Sequence, residues 1–211
     1  TMPMASYAQI SEIRDAIEDF KKSGKFVISF ADSYSQKGYY LASVSDKVYL
    51  NPNGLVEFSG ISSNPIFFKK AFDKLGVEPL VFKVGKYKSA VEPFIREDMS
   101  PENKEQTLSY LNSINSFVFD KIARSRNLSV PTLNTIADSL WSFRPKLAEQ
   151  KGLLNLAYED QVTDELMKLV KVKGSKLRAT FEVLSRNWRE TYFVCTPRAS
   201  CFTGLNCKPM V

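Results

Sequence analysis

The sequence predicts an α/β domain with a parallel-rich sheet and flanking helices. Short apolar runs rich in β-formers alternate with stretches of helical period, and Gly, Pro, Ser or Asn stand at most of the junctions. That alternation builds parallel strands joined by crossover helices. A chain of 211 residues with 44% hydrophobic and 25% charged residues has enough apolar side chain for a core of ordinary globular composition.

Residues 6–23 place Ile10, Ile13, Ala16, Ile17 and Phe20 at one-sided helical spacing, and Gly24 supplies a stop. "KFVISFA" then reads as a buried strand. "DSYSQKGYYLASVSD" opens as a turn and becomes helical around Tyr39–Ser43. "KVYL" and "LVEFSG" read as two further strands separated by the turn signal "NPNG". A helix is expected over 65–75, with Pro65 in its first turn and Gly76 past its end, followed by a fourth strand at "EPLVFKV". Ser100 and Pro101 suit the N-cap and first position of a long helix whose Leu108, Leu111, Ile114, Val118 and Ile122 share a face. Shorter helices follow near 131–139 and 144–150, then a brief extended "GLLNLAY" and a helix over 159–170.

From Gly174 the period dissolves. Residues 172–211 hold seven Lys/Arg against two Asp/Glu, leaving 22 against 21 for residues 1–171. The net charge of +6 is therefore a property of the tail, and nucleic-acid binding, which needs a basic face on the folded part, is not expected. We read residues 1–5 as a cloned start, 6–171 as the functional domain, and 172–211 as a linker and irregular, basic, Cys-containing tail. No run of eighteen apolar residues is present, so no bilayer span is expected.

The chain has no histidine, and its three cysteines, Cys195, Cys201 and Cys207, all lie in the tail. Ser–His–Asp and Cys–His catalysis and His-ligated metals are thereby excluded within this chain, and no cofactor is expected. "KVGKYKSAVEPF" sets Lys83, Lys86 and Lys88 around Gly85, and lysines in such a turn are ordinarily solvated. Lys88 differs in its apolar surroundings: Tyr87, then Ser89-Ala90-Val91, then Phe94-Ile95. A lysine can take a proton from serine only as the neutral amine, which asks its environment for roughly 4 kcal/mol of bias against the ammonium. Burial in apolar surroundings supplies that much. Phe67, Phe68 and Phe72 form an aromatic stripe, ordinarily core packing and otherwise a substrate-facing groove, and "EPFIRED" reads as a solvated helix approach or an inter-subunit ion-pair segment.

At "GYYLAS" and "GKYKSAVEPFIREDMSPENKEQ" the chain resembles signal peptide peptidase A (protease IV), and the likeness runs from about residue 6 to about 171. The resemblance implies a Clp-protease/crotonase-like fold, here the N-terminal half without its first strands. It places Lys88 on the general-base lysine of a Ser/Lys dyad. The family's serine lies in the C-terminal half, at an "S-G-G-Y" turn. The equivalent turn here reads "SQKGYY", with Gln36 in the nucleophile slot and Lys37 where a glycine would stand. The implied activity is serine endopeptidase, on apolar signal peptides, with the serine supplied by the C-terminal half or by neighbouring protomers of a homo-oligomer. The family's glycine-rich oxyanion segment has no counterpart here. The implied location is the bacterial inner membrane, facing the periplasm, through an anchor absent from this sequence. The competing reading is a catalytically silent assembly module of the same complex.

Overall fold

The computed structural model describes residues 5–82, 84–85 and 87–170, and a strand at 191–196. Lys83, Lys86, Cys201 and Cys207 lie outside the described residues. The chain divides into two compact units, residues 1–59 with 119–211, and residues 60–118.

The first unit is the expected α/β body. Helix α1 (Tyr7–Lys22) starts at Ser6, whose side chain accepts from the Gln9 amide while Gln9 reaches back to the Ser6 amide, a reciprocal capping box. Strand β1 (Phe26–Tyr34) follows, then α2 (Gln36–Ala42), capped by Ser35 through the Gly38 amide. Strand β2 (Lys47–Val56) runs parallel to β1, and the two-residue β3 (Asn155–Leu156) runs parallel to β2. Strand β4 (Thr191–Thr196) pairs antiparallel with the other edge of β1, giving the order β3-β2-β1-β4. This strand lies in the segment expected to be irregular, and its "TYFVCT" run is β-forming once a β1 edge is available to pair with.

"KVYL" and "LVEFSG" are not two strands with a turn between them. "KVYL" lies wholly on β2, which runs on only to Leu55 and Val56 of "LVEFSG", and "NPNG" is absorbed as a bulge: Ala31 pairs with Leu50 and Ser33 with Leu55. Gly54 makes the bulge possible. A Cβ there would lie 1.9 Å from the Asp32 carbonyl oxygen.

On one face of the sheet, Ile28, Phe30 and Tyr49 pack with Ala157 and with Val162 and Leu166 of α8 (Glu159–Val170). A line of aromatic rings forms a second part of the core. Tyr34 and Tyr39 meet edge to face at 6.3 Å, Tyr39 and Phe58 at 5.8 Å, and Phe58 stacks on Phe119 at 4.8 Å. All four are fully buried, and the polar tips are satisfied, Tyr34 donating to the Tyr49 carbonyl and Tyr39 to that of Leu153. Tyr39 and Tyr40 thus pack α2 into the core. Helices α6 (Val130–Asp138) and α7 (Pro145–Gln150) bury Leu133, Ile136 and Ala148.

The buried face of α1 is rotated from the expected stripe. Ile13 is exposed, whereas Ile10 and Arg14 are buried. The Arg14 guanidinium donates to the Tyr40 carbonyl, Ser43 Oγ, the Lys121 carbonyl and Ser125 Oγ, so one cation ties α1 to α2 and to the end of α5 (Pro101–Arg126).

The second unit holds α3 (Lys69–Leu75), the one-turn α4 (Glu92–Ile95) and the first part of α5. Gly76 closes α3 in the left-handed conformation, as expected of a C-terminal glycine. The helix begins at Lys69 and not at Pro65, and none of its residues is buried. The aromatic stripe is not core. Phe68, Phe72 and Phe94 stack at 6.2–6.4 Å, with Phe68 and Phe94 both exposed. "EPLVFKV" is not a strand: its described residues pair with no ladder, and Leu80 and Phe82 are 85% and 96% exposed. Pattern made it strand-like, but a strand needs a neighbour to bond. Among the described residues no helix is long and apolar enough to cross a membrane.

Candidate active site

The segment carrying Lys88 is a series of tight turns that leads into α4. The Ser89 amide donates to the Tyr87 carbonyl and the Glu92 amide to the Ser89 carbonyl. Gly85 takes φ +97, a left-handed angle that glycine adopts without strain. Lys88 stands on the rim of an open cleft of about 570 Å³ within the second unit. Phe82, Tyr87, Ala90, Val91 and Tyr110 give the cleft an apolar lining, and Asn103, Gln106 and Thr107 of α5 give it a polar side. Lys88 is exposed, so the apolar neighbours read from the sequence do not enclose it within this chain. Ser89 is half-buried beside it.

Glu92 departs most from expectation. Its carboxylate is 1% exposed and accepts from the Ser100 amide at 3.2 Å, from Ser100 Oγ, and from Asn103 Nδ2 at 2.8 Å. Ser100 in turn caps α5 through the Asn103 amide at 3.2 Å. The remainder of "EPFIRED" is the solvated segment expected: Arg96 pairs with Asp98 at 3.2 Å and Glu97 with Lys70 at 3.0 Å, all on the surface.

The "SQKGYY" turn, which the resemblance sets opposite the family's nucleophile turn, lies in the first unit. Gln36 opens α2 and is buried. Its Oε1 accepts from the Ser59 amide at 3.2 Å and its Nε2 donates to the Tyr7 hydroxyl at 3.4 Å. Lys37 donates to the Ala5 carbonyl at 2.9 Å and lies 5.4 Å over the Tyr7 ring. An amide side chain held at both ends has no lone pair suited to attack on a carbonyl carbon, so this turn is cohesive and not nucleophilic. Burial raises the Tyr7 phenol above its ordinary value, opposed by its hydrogen bond with Gln36, so that oxygen stays protonated at neutral pH.

The described residues form a mixed α/β chain with a lysine beside an apolar cleft. In comparison with known proteins, residues 19–173 match peptidase family S49. The chain belongs to that family, that of signal peptide peptidase A. It is 42% identical to Protease 4 of Haemophilus influenzae over 163 residues, 74% of this chain and 25% of that protein. It is 40% identical to Protease 4 of Salmonella typhi over 134 residues, 62% of this chain and 22% of the relative. Against the chloroplastic serine protease SPPA of Arabidopsis thaliana it is 29% identical over 177 residues, 83% of this chain and 26% of that one. The chain thus spans about a quarter of the length of these relatives.

Proposed function

We propose that this chain is the base-supplying half of a serine endopeptidase of the Clp-protease/crotonase-like type. Lys88 takes the proton from a serine carried by a homologous C-terminal half or a neighbouring protomer. The observation that carries the reading is the place of Lys88, at the mouth of an apolar cleft in a chain of family S49. In the reaction the serine oxygen attacks the peptide carbonyl while the neutral Lys88 amine accepts its proton. The same nitrogen, now the ammonium, returns a proton to the leaving amine. Because Lys88 is exposed in this chain, the drying that favours the neutral amine must come from the partner that brings the serine. Phe82, Tyr87 and Tyr110 suit apolar peptide, since burying leucine-rich segments supplies binding energy. Signal peptides of a membrane-anchored complex are the substrate class we favour.

One observation favours a second reading. Gln36 is stitched into the fold where the family's nucleophile would stand, so alone the chain fits a silent assembly module. A mixing experiment separates the two. The 211-residue chain is assayed on a leucine-rich leader peptide alone, then with a polypeptide carrying the family's "S-G-G-Y" half. We expect no turnover alone, turnover on mixing, and loss of about 10²–10⁴-fold with Lys88→Met. Turnover by the chain alone, or a mixture indifferent to Lys88→Met, overturns the base assignment.

A further inference from the structure

We infer that Glu92 is the positioning residue for Lys88: a buried carboxylate that fixes the lysine-bearing turn onto the first turn of α5. The inference rests on the base assignment above. Lys88 is exposed, and so is the Tyr87 hydroxyl's 3.5 Å contact with Glu105, a bond too long and too solvated to hold a backbone. Four residues beyond Lys88 the situation reverses. Glu92 is 1% exposed and accepts from the Ser100 amide, Ser100 Oγ and Asn103 Nδ2 at the start of α5.

The chain between Lys88 and that anchor has little freedom. The Glu92 amide donates to the Ser89 carbonyl and the Arg96 amide to the Glu92 carbonyl, so Glu92 is held on both sides of its own peptide. The Phe68 amide bonds the Pro93 carbonyl at 2.7 Å, bracing the same turn from α3. Asn103 is also a wall of the cleft whose rim carries Lys88. One residue of α5 therefore contacts the anchor and faces the space where the chemistry is proposed. Several directional hydrogen bonds converging on one buried carboxyl set register as well as energy. A base displaced by about 1 Å from its proton donor loses about 10²-fold in rate.

Glu92 touches no substrate on this reading, and its loss should lower kcat and leave KM. The test uses the full chain and the two-part mixture described above. Glu92→Gln keeps size but turns one acceptor oxygen into a donor facing other donors; Ser100→Ala removes one donor and the α5 cap, and Ser100→Thr restores both. We expect Glu92→Gln and Ser100→Ala to speed amide exchange at Ser89, Glu92 and Ser100 at least 10-fold, with Val27 and Leu50 unchanged as the fold control. We expect kcat about 10²-fold lower with KM within 2-fold, and Ser100→Thr near wild type in both. Unchanged exchange at these amides overturns the tether. Faster exchange with kcat intact, in a mixture that Lys88→Met silences, overturns positioning and leaves Glu92 a helix cap. If Lys88→Met itself leaves turnover intact, the base assignment falls and the catalytic role of Glu92 falls with it, while the exchange data still decide the tether.

Discussion

Gly54→Ala probes whether the β2 bulge is set by backbone contact. The added Cβ would sit 1.9 Å from the Asp32 carbonyl oxygen, 3.0 Å from its carbon and 3.1 Å from the Asn51 oxygen. Such atoms cannot rotate away as a flexible side chain would, so strands β1 and β2 must part by about 1.1 Å to reach even 3.0 Å. A ladder hydrogen bond stretched by that amount is no longer a bond. The pairs flanking the bulge, Ala31 with Leu50 and Ser33 with Leu55, are the ones exposed to it. Two lost bonds at about 1 kcal/mol each, with about 1–3 kcal/mol of overpacking strain, give a destabilisation of roughly 3–5 kcal/mol. Gly76→Ala is the control: φ there is +69, but no atom lies within 4 Å of the new Cβ. Only the left-handed angle is penalised, at about 1–2 kcal/mol. Urea titration of both variants reads the difference as a shift in midpoint at unchanged slope. Gly54→Ala within about 1 kcal/mol of wild type, or no worse than Gly76→Ala, would refute the reasoning.

Two further outcomes follow from buried or paired charges. Arg14→Ala should cost about 3 kcal/mol, the cavity left by a fully buried side chain. Arg14→Met should cost only about 1 kcal/mol, because it refills the volume and the Tyr40 carbonyl still accepts from Ser43 Oγ at 2.8 Å; equal losses in thermal melts would show that the charge, and not the volume, holds α1. The Glu165 carboxyl accepts from Lys47 and Tyr49, joining α8 to β2; burial pushes it up, but these hydrogen bonds prevail and hold it below its ordinary value. A depressed carboxylate contributes stability above its unfolded value, about 4.3, and loses it as pH falls through the lower folded value. Glu165→Gln should therefore be less stable than wild type by roughly 0.2–1 kcal/mol at pH 7, the pair being part-exposed, with the two converging in acid. A gap that persists at pH 2 would show that the ion pair is not its source.

The body was legible where one local signal sufficed. The start of α5 at Ser100-Pro101, the apolar β1 run and the periodic stretches of α6, α7 and α8 fall close to their expected bounds. What failed needed a partner to interpret. "NPNG" has every mark of a turn, yet the parallel ladder resumes across it, because Gly54 lets two backbones approach where a side chain could not. "EPLVFKV" has the composition of a strand and, among the described residues, nothing to bond. Glu92 was read as part of a solvated or inter-subunit ion-pair segment and Arg14 drew no reading, since a helix wheel and a charge run say nothing of carbonyls, hydroxyls and amides arriving from other elements. The motif singled out Lys88 but not its exposure, because solvent access depends on what surrounds a residue in space.

The stitching of Gln36 has a consequence for any attempt to introduce chemistry at that turn. Serine there would bring a hydroxyl but would forfeit the reach that joins the start of α2 to Ser59 and to Tyr7. Reactivity and cohesion are thus in competition for a single side chain, so a serine variant would gain a hydroxyl only by loosening the scaffold that holds it.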